Sequence, residues 1–174
     1  MALTVWTIGH STRTIDELLA VLDAHGIEAI ADVRRFPGSR RLPQFQSDAL
    51  ETALAAHGVA YRWIAALGGR RRPDMASANT GWRNASFRAY ADHVASDEFA
   101  DGLDELLAMA HGLRTAVMCA EVLWWRCHRR LIADVLTSIG IEVVHVRDAT
   151  AAEPHRLAPP ARVEGGVLTW SGEA

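Results

Sequence analysis

Between Ala116 and Arg130 an apolar run opens abruptly into two thiols (Cys119 and Cys127), the Glu121 carboxylate, the His128 imidazole and three guanidiniums (Arg126, Arg129 and Arg130). The apolar lead-in reads as a buried strand ending at Cys119. Trp125 to Leu136 reads as a helix, with Leu131, Ile132, Val135 and Leu136 at helical spacing. In an open α/β sheet the carboxyl rim of the strands is where ligands bind, and a helix that follows turns N–H groups and a positive dipole end toward it. A thiol placed there is favoured as thiolate, so Cys119 is predicted to act as nucleophile or redox thiol. His128 or His10 would activate it. Cations are unfavourable at a helix start, so Arg126, Arg129 and His128 imply an anionic partner, held also by Arg34. Cys127 is read as a packing residue. Glu121 orients Arg129 or His10 as an ion pair, or serves as general base. Trp124 and Trp125 are read as core or lid, and Trp125 is counted among the substrate contacts.

These residues need elements to position them. Leu3 to Ile8 is a β-branched run, followed by Gly9-His10-Ser11 and a helix carrying Ile15, Leu18, Leu19 and Leu22, capped by Thr14 or Ser11 and stopped at Gly26. Ile27 to Val33 is a second strand, ending at Asp32 and Arg34 before a basic loop broken by Pro37 and Pro43. Ser47 is expected to cap a helix through His57, and Val59 to Ile64 forms a third strand. Leu67 to Trp82 is a long aperiodic loop containing Arg70, Arg71 and Arg72. Two helices follow, around Phe87 to Val94 and Phe99 to Ala110, before the strand of Cys119. Glu142 to Val146 is expected as the last strand of the sheet. The alternation implies a three-layer α/β sandwich with a mostly parallel, Rossmann-like sheet, a single domain over residues 1–174 with its core in 1–147, and a small hairpin around Gly165-Gly166 in the tail. The carboxyl ends of such strands share one rim, which gathers His10, Ser11, Asp32, Arg34, Arg62, Trp63, Cys119, Glu121 and His145. Asp32 there is either an acid/base group or a loop cap. His25, His57, His93, His111 and His155 read as surface residues.

Composition narrows the chemistry. All 18 basic residues are arginine and the net charge is -3, so a Schiff-base lysine and a phosphate-loop lysine are excluded, while bidentate guanidinium recognition stays open. No apolar stretch approaches the ~20 residues of a membrane span. The N-terminus lacks a basic segment with a cleavage site, so a cytoplasmic location and free thiols are expected rather than a disulfide framework.

The chain resembles the DUF488 proteins, a bacterial and archaeal group of unknown function, over nearly its whole length. The resemblance rests on Thr7-Ile8-Gly9-His10-Ser11, Asp32-Val33-Arg34 with the loop from Phe36-Pro37 to Pro43-Gln44-Phe45, Leu67-Gly68-Gly69-Arg70, and Gly81-Trp82-Arg83-Asn84 leading to Tyr90. It is most specific at Cys119-Ala120-Glu121 followed by Trp125-Arg126-Cys127-His128-Arg129, where such sequences often carry a proline in place of Trp124. It implies a site and no reaction. The layout of Asp32-Val33-Arg34 and a later strand-end cysteine also looks like rhodanese-type sulfurtransferases, although their arginine-bearing anion loop has no counterpart after Cys119.

The leading expectation is therefore an enzyme with Cys119 as its thiol, Asp32, Glu121, His10 and His128 as acid/base groups, and Ser11, Arg34, Arg126, Arg129 and Trp125 holding a phosphorylated or nucleic-acid-derived substrate. A non-catalytic nucleotide or single-strand binding module that uses the same rim, the Arg70 to Arg72 loop and the tryptophans as stacking surfaces is the second reading. A metal-dependent hydrolase with Cys119, Cys127, His128 and His10 as ligands is the third.

Overall fold

In a computed structural model, residues 2–172 are described. Five parallel strands come first in the sheet: β1 (Thr4–Gly9), β2 (Ala29–Asp32), β3 (Ala60–Trp63), β4 (Thr115–Cys119) and β5 (Glu142–Val146). They lie in the order β3-β2-β4-β1-β5. Every residue of β2 and β4 is buried, which suits strands covered on both faces and explains their uninterrupted apolar runs. The sheet does not end at β5. Ala152–Pro154 forms an antiparallel edge strand, β6, that pairs with β5, so the tail extends the sheet beyond residue 147. The hairpin β7 (Arg162–Glu164) and β8 (Val167–Thr169) turns at Gly165-Gly166, where both glycines take positive φ as the expected turn requires.

Helices cover both faces. α1 (Ile15–Ala24) and α2 (Ser47–Ala56) bury Leu18, Leu22, Leu50 and Leu54 against Ile8, Ile30 and Met118. α3 (Ala85–Val94), α4 (Asp97–Gly112) and α5 (Arg129–Ser138) bury Tyr90, Phe99, Leu106 and Leu131 against Ala31, Val117 and Cys119. Thr14 caps α1 with a reciprocal capping box to Glu17, as its Thr-x-x-Glu spacing requires. α2 differs from expectation: Gln46 occupies its cap position without a side-chain bond, and Ser47 is already its first residue. The helix expected from Trp125 is split into a 3-10 turn over Trp124–Arg126 and α5 from Arg129, which leaves Cys127 and His128 at the junction.

Registers bring the strand ends level, with Gly9 beside Cys119, and Asp32 beside both Met118 and Trp63. β1 and β2 hand the chain to α1 and α2 on one face, whereas β3 and β4 hand it to α3, α4 and α5 on the other. That divergence opens a crevice at the carboxyl ends, the usual place for a ligand in such sheets. Gly9 is the tightest point beneath it: a Cβ there would lie 1.8 Å from the Glu121 carbonyl oxygen. Gly9→Ala is therefore expected to push the Glu121 loop off the strand end and to cost about 3 kcal/mol or more, as severe overpacking does. A urea midpoint equal to that of the parent chain would show that the loop yields freely.

Candidate functional site

A cavity of about 500 Å³ occupies this crevice, with Cys119, Cys127 and His128 in its lining and the less buried Arg35, Arg70 and Arg126 toward solvent. Cys119 ends β4 on the α5 side of the sheet. The 3-10 turn returns the chain over it, and the two sulfurs stand 3.2 Å apart. Burial pushes the Cys119 thiol well up, and its hydrogen bond to Cys127 adds to this, so Cys119 keeps its proton. Burial alone would also raise Cys127. Against it act the Cys119 S–H, the Arg129 guanidinium, the neighbouring His128 and the Arg129 backbone N–H, and together they bring Cys127 down to about 5. The Arg129 backbone N–H and Nε donate to Cys127 Sγ at 3.4 and 3.3 Å. Helix N-terminus and cation thus converge on Cys127, and an ionised Cys127 takes the Cys119 S–H, whose other acceptor is the Glu121 carbonyl at 3.6 Å.

Arg129 is only 1% exposed. Besides Cys127 it donates to the carbonyls of Glu121 and Val122, and through Nη1 to Thr7 Oγ1 at 3.1 Å. Thr7 Oγ1 meets His145 Nδ1 at 2.6 Å, His145 Nε2 meets His155 Nδ1 at 2.9 Å, and His155 Nε2 meets Asp134 Oδ1 at 2.7 Å. Only one assignment satisfies every atom with neutral imidazoles: each donor passes toward Asp134, from Arg129 through Thr7, His145 and His155. Trp170 Nε1 donates to the other Asp134 oxygen at 3.0 Å, and Trp124 lies flat on His145 at 4.1 Å between centroids. Burial holds His145 at about 2, far below an ordinary imidazole, with His155 and Arg129 adding in the same direction.

A second network lies under β2. Asp32 takes Arg34 Nε at 2.9 Å and Nη2 at 2.7 Å, together with the Tyr61 hydroxyl at 2.6 Å. Arg34 Nη1 donates to the Phe45 carbonyl at 2.7 Å and faces His10 Nε2 at 3.4 Å. His10 donates through Nδ1 to the Ser11 carbonyl, which leaves Nε2 as acceptor, and it stacks on Phe45. Burial lowers His10 to about 4, and the nearby Arg34 charge acts the same way. Arg34 and Asp32 thus satisfy each other, although Arg34 also reaches the cavity wall.

Other expected residues are distributed unevenly. Glu121 lines the cavity, but its carboxylate accepts the Leu123 N–H at 3.2 Å and its carbonyl, not its side chain, meets Arg129. Arg126 lines the mouth, whereas Ser11 and Trp125 lie outside the lining, and Arg147 covers the Trp125 ring. His128 donates through Nε2 to the Val33 carbonyl at 2.8 Å, and a Cβ on Gly69 would lie 2.9 Å from His128 Nδ1. Among the described residues no three His, Cys, Asp or Glu side chains converge on a metal position; His10 faces Arg34 instead of the thiols.

Two histidines expected at the surface, His155 and His93, are buried, the latter bonded to the Ala66 carbonyl, whereas His57 is exposed as expected and pairs with Asp23. Asp134 was the missed signal, a carboxylate set on the apolar stripe of Leu131, Ile132 and Val135. Nothing local distinguishes His155.

Fold and site together define a doubly covered α/β protein with a buried strand-end cysteine and a half-buried, arginine-bonded second cysteine beside it. The chain belongs to the DUF488 family, described as a domain of unknown function, whose profile matches residues 14–136. No curated protein and no solved structure matches it. No helix among the described residues is long and apolar enough to cross a membrane.

Two outcomes follow from the buried networks. His10 and His145 are held neutral in the fold but bind protons near their ordinary 6.5 when unfolded. The unfolded state therefore binds more protons below that value. The histidine contribution should be full above pH 6.5 and fall steadily toward pH 4, while Cys127, brought from 9.0 down to about 5, adds a contribution that declines as pH falls through that interval; a melting temperature unchanged between pH 7 and 4.5 would refute this. Asp134→Asn presents an N–H₂ to one of two buried donors and should cost about 1–3 kcal/mol in urea unfolding.

Proposed function

We propose that the chain is a thiol-dependent enzyme in which Cys127, as thiolate, attacks an electrophilic centre of an anionic substrate. The observation that carries this reading is the set of donors on Cys127 Sγ, namely the Cys119 thiol and the backbone N–H and Nε of Arg129, at a cavity edged by arginines. A sulfur with no task would gain nothing from a buried cation, since a neutral thiol packs adequately among apolar groups. Arg35, Arg70 and Arg126 form no salt bridge or side-chain hydrogen bond among the described residues, so their guanidiniums are available to carboxylate or phosphate. Cys119 holds a proton beside the reacting sulfur, and His128 offers a neutral imidazole at the same wall.

The same geometry weakens the stacking-platform alternative. Arg71 is bound to Glu98 and to the Gly68 carbonyl, Trp124 is stacked on His145, and Trp82 is buried. Among the described residues that line the cavity, Phe36, with Arg35 over its ring, is the one exposed aromatic, too little for a row of stacked bases.

Two alkylating probes that differ in charge test the reading. Cys127 should react with iodoacetamide near pH 6, where an ordinary thiol is mostly protonated, and Cys127→Ser should abolish that reaction. The anionic iodoacetate should be favoured relative to iodoacetamide more than it is with free cysteine. Arg70→Gln and Arg126→Gln should each lower that preference roughly threefold, in keeping with ~0.2–1 kcal/mol for a partly exposed charge pair. A Cys127 that stays inert at pH 6, or a preference indifferent to both arginines and to salt, would sink the proposal.

A further inference from the structure

Cys119 and Cys127 differ in a way that a single nucleophile would not need. Cys127 is half-buried and charged, whereas Cys119 is 3% exposed, protonated and directly behind it. Their sulfurs, at 3.2 Å, need only close to the ~2.05 Å of a disulfide. Cys119 is anchored at the end of a fully buried strand, while Cys127 sits between a one-turn 3-10 helix and the start of α5. An outer, low-pKa sulfur with an inner, protonated one is the division between attacking and resolving thiols.

We infer that Cys119 and Cys127 form a thiol–disulfide exchange couple whose partner is an anionic low-mass disulfide, seated in the cavity with its carboxylates on Arg35, Arg70 and Arg126. The inference rests on the thiolate reading of Cys127 and names its substrate class. Cys127 S⁻ attacks one sulfur of RSSR, forming Cys127–S–SR and releasing RS⁻. That thiolate takes the Cys119 proton and leaves as RSH. Cys119 S⁻ then attacks Cys127 Sγ, the Cys127–SR bond breaks, and the second RS⁻ departs. Two electrons pass from the protein to the disulfide, one proton moves, and the net charge of −1 is conserved. Oxidation removes the negative partner of Arg129, which is buried and would face the neutral disulfide. The dithiol form is therefore favoured, and the couple is oxidising, fully converted only by excess RSSR and readily returned by RSH.

The decisive experiment exposes the reduced, full-length protein to excess oxidised glutathione, 2-hydroxyethyl disulfide or cystamine, which are anionic, neutral and cationic, followed by acid quenching and intact-mass measurement. The expected result is loss of two hydrogens without an adduct, at least ~10-fold faster with oxidised glutathione than with cystamine, and reversal by excess reduced glutathione. Cys119→Ala, or Cys119→Ser if the first does not fold, should accumulate the adduct on Cys127. A stable adduct on the parent protein, or cystamine reacting fastest, overturns the inference. Absent exchange with rapid Cys127 alkylation at pH 6 overturns it alone. Absent exchange with no such alkylation overturns the thiolate reading as well.

Discussion

A guanidinium taken out of water must be compensated almost completely, and Arg129 is the residue on which this architecture turns. Its hydrogen-bonding N–H groups reach the Cys127 sulfur, two loop carbonyls and a hydroxyl. Each contact requires a separate part of the fold: Cys127 from the loop before α5, Glu121 and Val122 from the loop after β4, and Thr7 from the middle of β1. A buried cation tolerates little displacement, because an unpaired charge in the interior costs several kcal/mol. The loop after β4 is thereby drawn down onto β1, which explains why position 9 has no room for a side chain.

The compensation does not stop at first contacts. Thr7 accepts from Arg129 and so has its own proton to give, and the two imidazoles carry that demand to Asp134, the one buried carboxylate in the row. Arg129 and Asp134 are thus joined through Thr7, His145 and His155, which gives the C-terminal segment a part in the site. His155 follows β6, and Trp170 follows β8 to close the second Asp134 oxygen. A tail that looked like an appendage supplies the last two donors of an interior network.

The two buried arginines contrast instructively. Arg34 is neutralised at once by Asp32, two residues away, with Tyr61 and Phe45 completing the set, so its effect is to hold the β2 loop in place. Arg129 has no carboxylate in contact and instead faces sulfur, leaving its positive field directed at Cys127. Local pairing makes a guanidinium structural; deferral of the counter-charge makes it available to a reactive atom.

Hydrophobic periodicity and β-branched runs were sufficient to read the alternating strands and helices, the parallel sheet and the convergence of His10, Asp32 and Cys119 on one rim, because covered parallel strands must be apolar throughout and share a carboxyl edge. The same logic marked the segment from Cys119 to Arg129 as the place for chemistry. Which sulfur receives the charge was not legible, since it depends on a 3-10 turn that breaks the expected helix and moves its start from Trp125 to Arg129, beside Cys127. The path from Thr7 to Asp134 was not legible either. Its members lie as far as 138 residues apart, and hydrogen bonding, unlike hydrophobic spacing, leaves no period in a chain. Sequence by itself determined the layers and the rim, through the burial pattern; tertiary structure decided the ionisation of the thiols, because that depends on distances of a few ångströms between groups that only the folded chain brings together.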